Sequence, residues 1–202
     1  MTDPLLFDDP CVLFALRHES APFVRLFPVQ QRFPGAPCRA RFCGPSWLSV
    51  LVLETGVGPD RTARALDWLL GAPALDNVPY RPKVVLSAGF CGALKPRYRA
   101  GDVVVADEVV ADGKTWPAPW PGRLDAGEWQ PTLHRDRLLC VTHLVADVTE
   151  KRVLAEKHGA VAASSRSGAT RPPLRQATSF GDSGVWQSSD TARTQPNGTP
   201  AC

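Results

Sequence analysis

The chain has no isoleucine, a single methionine at position 1, and no glutamate beyond Glu156. It has no apolar run approaching the ~20 residues of a membrane-spanning helix, so no such helix is expected. It has no run of basic residues and a net charge of only +3 over 202 residues, which argues against a nucleic-acid partner. The opening MTDPLLFDDP lacks the basic segment that begins a signal peptide, and a cytoplasmic protein is expected. Six cysteines, at 11, 38, 43, 91, 140 and 202, show no disulfide spacing. The nearest pair, Cys38 and Cys43, has no second pair to complete a zinc site. His18, His134, His143 and His158 are scattered. Neither a metal nor a cofactor is expected. Without isoleucine, and with arginine far outnumbering lysine, the coding sequence reads as GC-rich. In such DNA stop codons are scarce in every frame.

What is present is alternation. Cys11–Leu16 is a short apolar run that reads as a first strand. Residues 28–46, rich in proline, arginine and glycine, read as a loop or irregular hairpin. Trp47–Leu53 reads as a buried strand. A glycine turn follows, Gly56-Val57-Gly58, with Pro59 placed to begin a helix over Asp60–Leu70. Ala63, Leu66, Leu69 and Leu70 recur there at helical spacing. Val84–Ser87 is a strand running into Gly89-Phe90-Cys91-Gly92-Ala93-Leu94, and Asp102–Ala106 is the next strand. Residues 112–131 carry four prolines and Trp116, Trp120 and Trp129, and read as a long loop. The tryptophans pack that loop or an interface, or close a stacking lid. Leu138–Val145 is a strand candidate. Thr149–His158 is a charged helix stopped by Gly159, and Ala160–Ala162 starts another strand. Strands alternating with helices predict an α/β domain with a mostly parallel sheet, of a length that supports one core.

From Ala163 the pattern stops. Residues 163–202 hold seven serines, five threonines and four prolines, with no lysine or glutamate. That composition reads as disordered. Two units are therefore expected, residues 1–162 as the domain and 163–202 as a tail.

A strand that ends in small residues lets backbone N–H groups approach a ligand with no side chain between. The order and spacing of KVVLSAGFCGALKPRYRAGDVVVADEVV (83–110) resemble the nucleoside phosphorylase / nucleosidase superfamily. That family holds purine nucleoside phosphorylases, methylthioadenosine/adenosylhomocysteine nucleosidases and hopanoid-associated phosphorylase-like proteins. The resemblance covers about residues 11–162. It implies a three-layer α/β core with a mixed central sheet, whose C-terminal part is missing or replaced here. It implies cleavage of the N-glycosidic bond of a purine nucleoside, a small-molecule partner, phosphate as a possible co-substrate, and a possible homo-oligomer.

By the same resemblance, Gly56 and Gly58 lie beside phosphate or ribose, and the backbone of Gly89, Phe90, Cys91 and Gly92 lines ribose and base. The Leu144–Ala146 region, with Val145 at its centre, contacts the purine. Glu19 matches a glutamate that orients the attacking water, a task that requires an ionised carboxylate. The alternative for Glu19 is a surface residue capping a helix. Many phosphorylases carry serine or threonine at the position of Phe90 and an arginine near Ser87-Ala88. Neither is present, which favours hydrolysis over phosphorolysis.

The family's Met-Glu pair, which holds the ribose, is replaced by Ser165-Arg166. Its base-protonating aspartate is matched only by Asp190, without an apolar strand to aim it. Such loss of pattern at a motif, in GC-rich sequence, is what a frameshift or truncated gene near codon 163 would produce, and little or no activity is then expected. The rival expectations are a noncatalytic nucleoside-binding domain and a nonfunctional product.

Overall fold

The computed structural model describes residues 10–45, 49–71, 74–75, 78–82, 84–118 and 133–164. In chain order the elements are β1 (Pro10–Phe14), α1 (Arg17–Leu26), β2 (Val29–Phe33), β3 (Arg39–Cys43), β4 (Val50–Glu54) and α2 (Pro59–Leu70). There follow β5 (Ala74–Leu75), β6 (Val78–Pro79), β7 (Val84–Ser87), β8 (Gly92–Ala93), β9 (Val103–Ala111) and β10 (Lys114–Pro117). The last are β11 (Leu133–Cys140), α3 (Val148–His158) and β12 (Ala162–Ser164).

Two five-stranded sheets result, ordered β2-β3-β4-β1-β7 and β10-β9-β11-β12-β8, with β5 and β6 as a small ribbon. In the first sheet β1 lies between β4 and β7, parallel to both, with Cys11 opposite Leu51 and Val85. β1 and β4 are apolar and buried along nearly their whole length, as strands covered on both faces must be. Successive residues feed opposite faces. Cys11, Leu13, Leu51 and Leu53 pack with Leu66 and Leu69 of α2. Val12, Phe14, Val50 and Val52 pack with Phe23 of α1. Leu51, Leu53 and Leu69 are fully buried, each contributing ~1.5–3 kcal/mol relative to exposure. The result is three layers, α1, sheet and α2. In the second sheet Val110, Leu139 and Ala163 meet Ala155 of α3.

The sheets are mixed rather than mostly parallel. Among the described residues each contains two parallel and two antiparallel pairings. The antiparallel ones come largely from segments of loop-like composition. Residues 29–43 form the β2–β3 hairpin, one of the two forms expected there, with a register shift between Val29 and Gln31. Residues 112–117 turn back as β10 onto β9. Asp112 and Gly113 both take positive φ, 49° and 72°, the geometry that joins two strands by a two-residue turn. Trp116 lies in β10; Trp120 and Trp129 are outside the described residues, and with them the choice between loop or interface packing and a stacking lid.

Strand β11 begins five residues earlier than the apolar run suggests and stops at Cys140. Its charged half is matched across the sheet. Arg135 pairs with Asp107 at 2.6 Å and Arg137 with Glu108 at 2.5 Å. Asp102 caps a turn, accepting from Arg99 N at 2.8 Å. Pro59 begins α2 as expected. That helix buries Thr62, Ala65, Leu66 and Leu69, while Leu70 is 55% exposed, so its inner face is rotated from the one expected. Helix α3 starts at an Asp147 cap, whose side chain accepts from Glu150 N, and ends at Gly159 with φ 64°. Arg137 also donates to His158 O at 3.0 Å, so one guanidinium joins β9 to the end of α3. Among the described residues no helix is long and apolar enough to cross a membrane.

Candidate functional site

Strands β1, β4 and β7 run parallel and end at one rim. A crevice outside the carboxyl ends of parallel strands is where α/β sheets bind ligands. Backbone hydrogen bonds carry the ladder past the strand ends, from Thr55 N to Phe14 O at 2.9 Å, Gly56 N to Ala15 O at 3.0 Å and Ala88 N to Leu13 O at 2.9 Å. The loops after the three strands are thereby fixed side by side.

Glu19 stands in the first turn of α1 and is 8% exposed. Its Oε2 accepts from Ala15 N at 3.0 Å and Leu16 N at 2.9 Å. Its Oε1 accepts from Phe90 N at 3.1 Å. The carboxylate therefore caps its own helix, and it also joins the loop after β1 to the glycine loop after β7. It is a buried group, not a surface one. The Phe90 ring stacks on His18, with centroids 5.8 Å apart and planes at 22°.

Gly56 and Gly58 take φ of 82° and 107°, which side-chain-bearing residues avoid. A Cβ on Gly56 would lie 2.9 Å from Arg61 Cδ, so the Arg61 chain occupies the space the glycine leaves. Neither glycine lines the two spaces that open around Cys91 and Gly92.

Phe90, Cys91 and Gly92 do meet Val145. Together with Leu144, His143 and Lys151 they line a pocket of about 30 Å³, the size of a water site. Val145 is buried in the segment after β11, not in a strand. Beyond Cys91 and Gly92 opens a cleft of about 880 Å³, bordered by Tyr98, Asp102, Lys151 and Ala155. That volume lies within the range of small-molecule sites. Glu19 lines neither space. Asp190 and Ser165-Arg166 lie outside the described residues.

One cluster was not anticipated. Ser20, fully buried, follows Glu19 on α1. Its hydroxyl accepts from Arg41 Nη2 at 3.1 Å and donates to Glu54 Oε1. Arg41 and Glu54 form an ion pair with side chains only 7% and 8% exposed, and Arg39 approaches Glu54 from the solvent side at 3.4 Å.

Cys11, Cys38 and Cys43 are free thiols. Burial pushes the Cys11 thiol far above its ordinary range and Cys38 up to about 11. Among the described residues no group of three or more His, Cys, Asp or Glu could hold a metal ion.

A model of the phosphorylase superfamily matches residues 13–168. The chain belongs to the phosphorylase superfamily. The match includes Glu19, both glycine loops and Val145, and reaches six residues past Ala162. Solved structures of the same fold include futalosine hydrolase of Helicobacter pylori, 16% identical, with a TM-score of 0.62 over 80% of this chain and 78% of that one. A mutant of a methylthioadenosine/adenosylhomocysteine nucleosidase from Helicobacter pylori, with 5′-methylthioadenosine in its active site, is 18% identical. Its TM-score is 0.62 over 80% of this chain and 76% of that one. The corresponding nucleosidase from S. pneumoniae is 16% identical, with a TM-score of 0.61 over 80% and 76%. At these identities the likeness is one of fold. No curated protein matches the chain in sequence.

Proposed function

We propose that this phosphorylase-superfamily chain binds a purine nucleoside at the rim of β1, β4 and β7 and hydrolyses its N-glycosidic bond slowly. One observation carries the reading. A buried carboxylate, Glu19, is held by three backbone donors at the meeting point of two loops. A carboxylate so placed orients water toward the anomeric carbon and accepts its proton as the bond to the base breaks. Backbone from Gly89 to Gly92 lines ribose and base, and Val145, sharing a pocket with Phe90 and Gly92, contacts the purine. The fold-mate with 5′-methylthioadenosine in its active site makes adenine nucleosides the first substrates to try. Water is preferred to phosphate because Phe90 offers no hydroxyl, and Ser87-Ala88 no cation, to hold a phosphate. Turnover is slow because Ser165-Arg166 stands where the resembled family carries the Met-Glu pair that grips the ribose as charge develops.

A second reading, binding without turnover, is favoured by the same bond that supports the first. Glu19 Oε1 is engaged by Phe90 N. An adenine-release assay with adenosine and methylthioadenosine, each with and without phosphate, separates them. Phosphate-independent release supports hydrolysis, and release only with phosphate overturns it. Binding without release establishes the second reading. Neither binding nor release overturns both.

A further inference from the structure

The geometry points to Arg41 and Glu54 as positioning residues that set the direction of Glu19. This rests on the hydrolytic reading for its catalytic consequence, and on the structure alone for its mechanical part.

Helix α1 has a mixed anchorage. Leu16 at its N-cap offers no side-chain acceptor, and Pro22 within it removes one backbone donor. Within its first turn Glu19 accepts from Leu16 N, and the Ser20 hydroxyl lies 3.0 Å from Arg17 O; the same two adjacent residues also hold the turn from outside. Consecutive helical side chains diverge by about 100°. Ser20 therefore faces β3 and β4 while Glu19 faces the end of β1 and the loop after β7. Ser20 accepts from Arg41 and donates to Glu54. Both partners sit on strands, Arg41 in β3 and Glu54 at the end of β4. With Ser20 pinned, the first turn has little freedom to rotate, and the Glu19 carboxylate falls on Phe90 N.

Stability alone does not account for the Arg41–Glu54 pair. Burying two charges costs about as much as their attraction returns. Arg41 Nε, moreover, is buried with no hydrogen-bond partner, a loss of ~1–3 kcal/mol. An apolar pair of similar volume would hold the sheet as well. What the charged pair adds is a donor and an acceptor fixed on Ser20, and with them an orientation for the neighbouring carboxylate.

The test is amide hydrogen exchange at Phe90 in the full chain, alongside nucleoside turnover. Glu19→Ala removes the acceptor directly and sets the scale, an acceleration of about tenfold or more at Phe90. Arg41→Met and Glu54→Gln are expected to accelerate exchange at Phe90 while Val105 and Val109 in β9 exchange as before. They are expected to lower kcat with KM retained. Wild-type exchange at Phe90 in both variants would overturn the proposal, as would acceleration spread equally over β9. Should Arg41→Met fail to fold, the double variant Arg41→Met/Glu54→Leu, which removes the donor and the acceptor together and leaves no lone buried charge, decides alone. If the wild type releases no adenine, the hydrolytic reading fails. The exchange result still decides the positioning.

Discussion

The Glu19 carboxylate accepts the backbone N–H of Phe90 across 71 positions of sequence, at 3.1 Å. One side chain thus ties the start of α1 to the glycine loop after β7, and the chemistry proposed for the chain depends on that tie.

Replacing Glu19 by glutamine removes the base and leaves one accepting oxygen, which can serve Ala15 N and Leu16 N or Phe90 N but not all three. Phosphate-independent adenine release is expected to fall ~10²–10⁴-fold, measured at saturating nucleoside. Unchanged release would remove Glu19 from the mechanism.

Phe90→Ser puts a hydroxyl where many phosphorylases carry one. The ratio of release with phosphate to release without it is expected to rise, read from ribose 1-phosphate formed per adenine. A ratio equal to that of the wild type would show that Phe90 does not select the nucleophile.

The buried thiols make the fold sensitive to alkali. Burial raises Cys11 and Cys43, and holds Cys38 at about 11. An unfolded thiol loses its proton near 9.0, so above that pH the unfolded chain binds fewer protons than the folded one. Stability is then full below about 9 and falls as pH rises toward 11. The urea midpoint should drop over that window, and less steeply in Cys38→Ala. A midpoint that stays level would contradict the burial of these groups.

The Asp112-Gly113 turn carries the β9–β10 hairpin on two positive φ angles. Gly113→Val is expected to cost ~1–2 kcal/mol, whereas Asp112→Asn should stay within ~0.5 kcal/mol. Chemical denaturation checks both. Equal effects would mean that the turn is not the one described.

Legibility followed locality. β1, β4, β7, α2 and α3 could be read because apolar runs and punctuation by Pro59 and Gly159 lie within a few residues of what they control. Strands β2 and β3 could be read only as one of two alternatives, a loop or an irregular hairpin, since Arg32, Arg39 and Arg41 give them a loop-like composition. The charged half of β11 was missed for a similar reason. Arg135 and Arg137 are matched by Asp107 and Glu108 more than two dozen residues away, and no local pattern announces that. β10 is different. The Asp112-Gly113 dipeptide is a hairpin signal, but the prolines and tryptophans after it give the segment the composition of a loop. In the candidate site, Glu19 and the glycine loops were reached only through the family resemblance. The Ser20–Arg41–Glu54 cluster spans 21 and 34 positions and emerges only when β3, β4 and α1 are assembled.

Arg137 binds Glu108 with one part of its guanidinium and the last carbonyl of α3 with another. Helix α3 leaves Val148 and Val153 half exposed, so its seat relies heavily on its C-terminal end. Loosening β11 from β9 therefore withdraws the helix's terminal partner in the same event. The amides of the three elements are therefore expected to share a single opening free energy in hydrogen exchange.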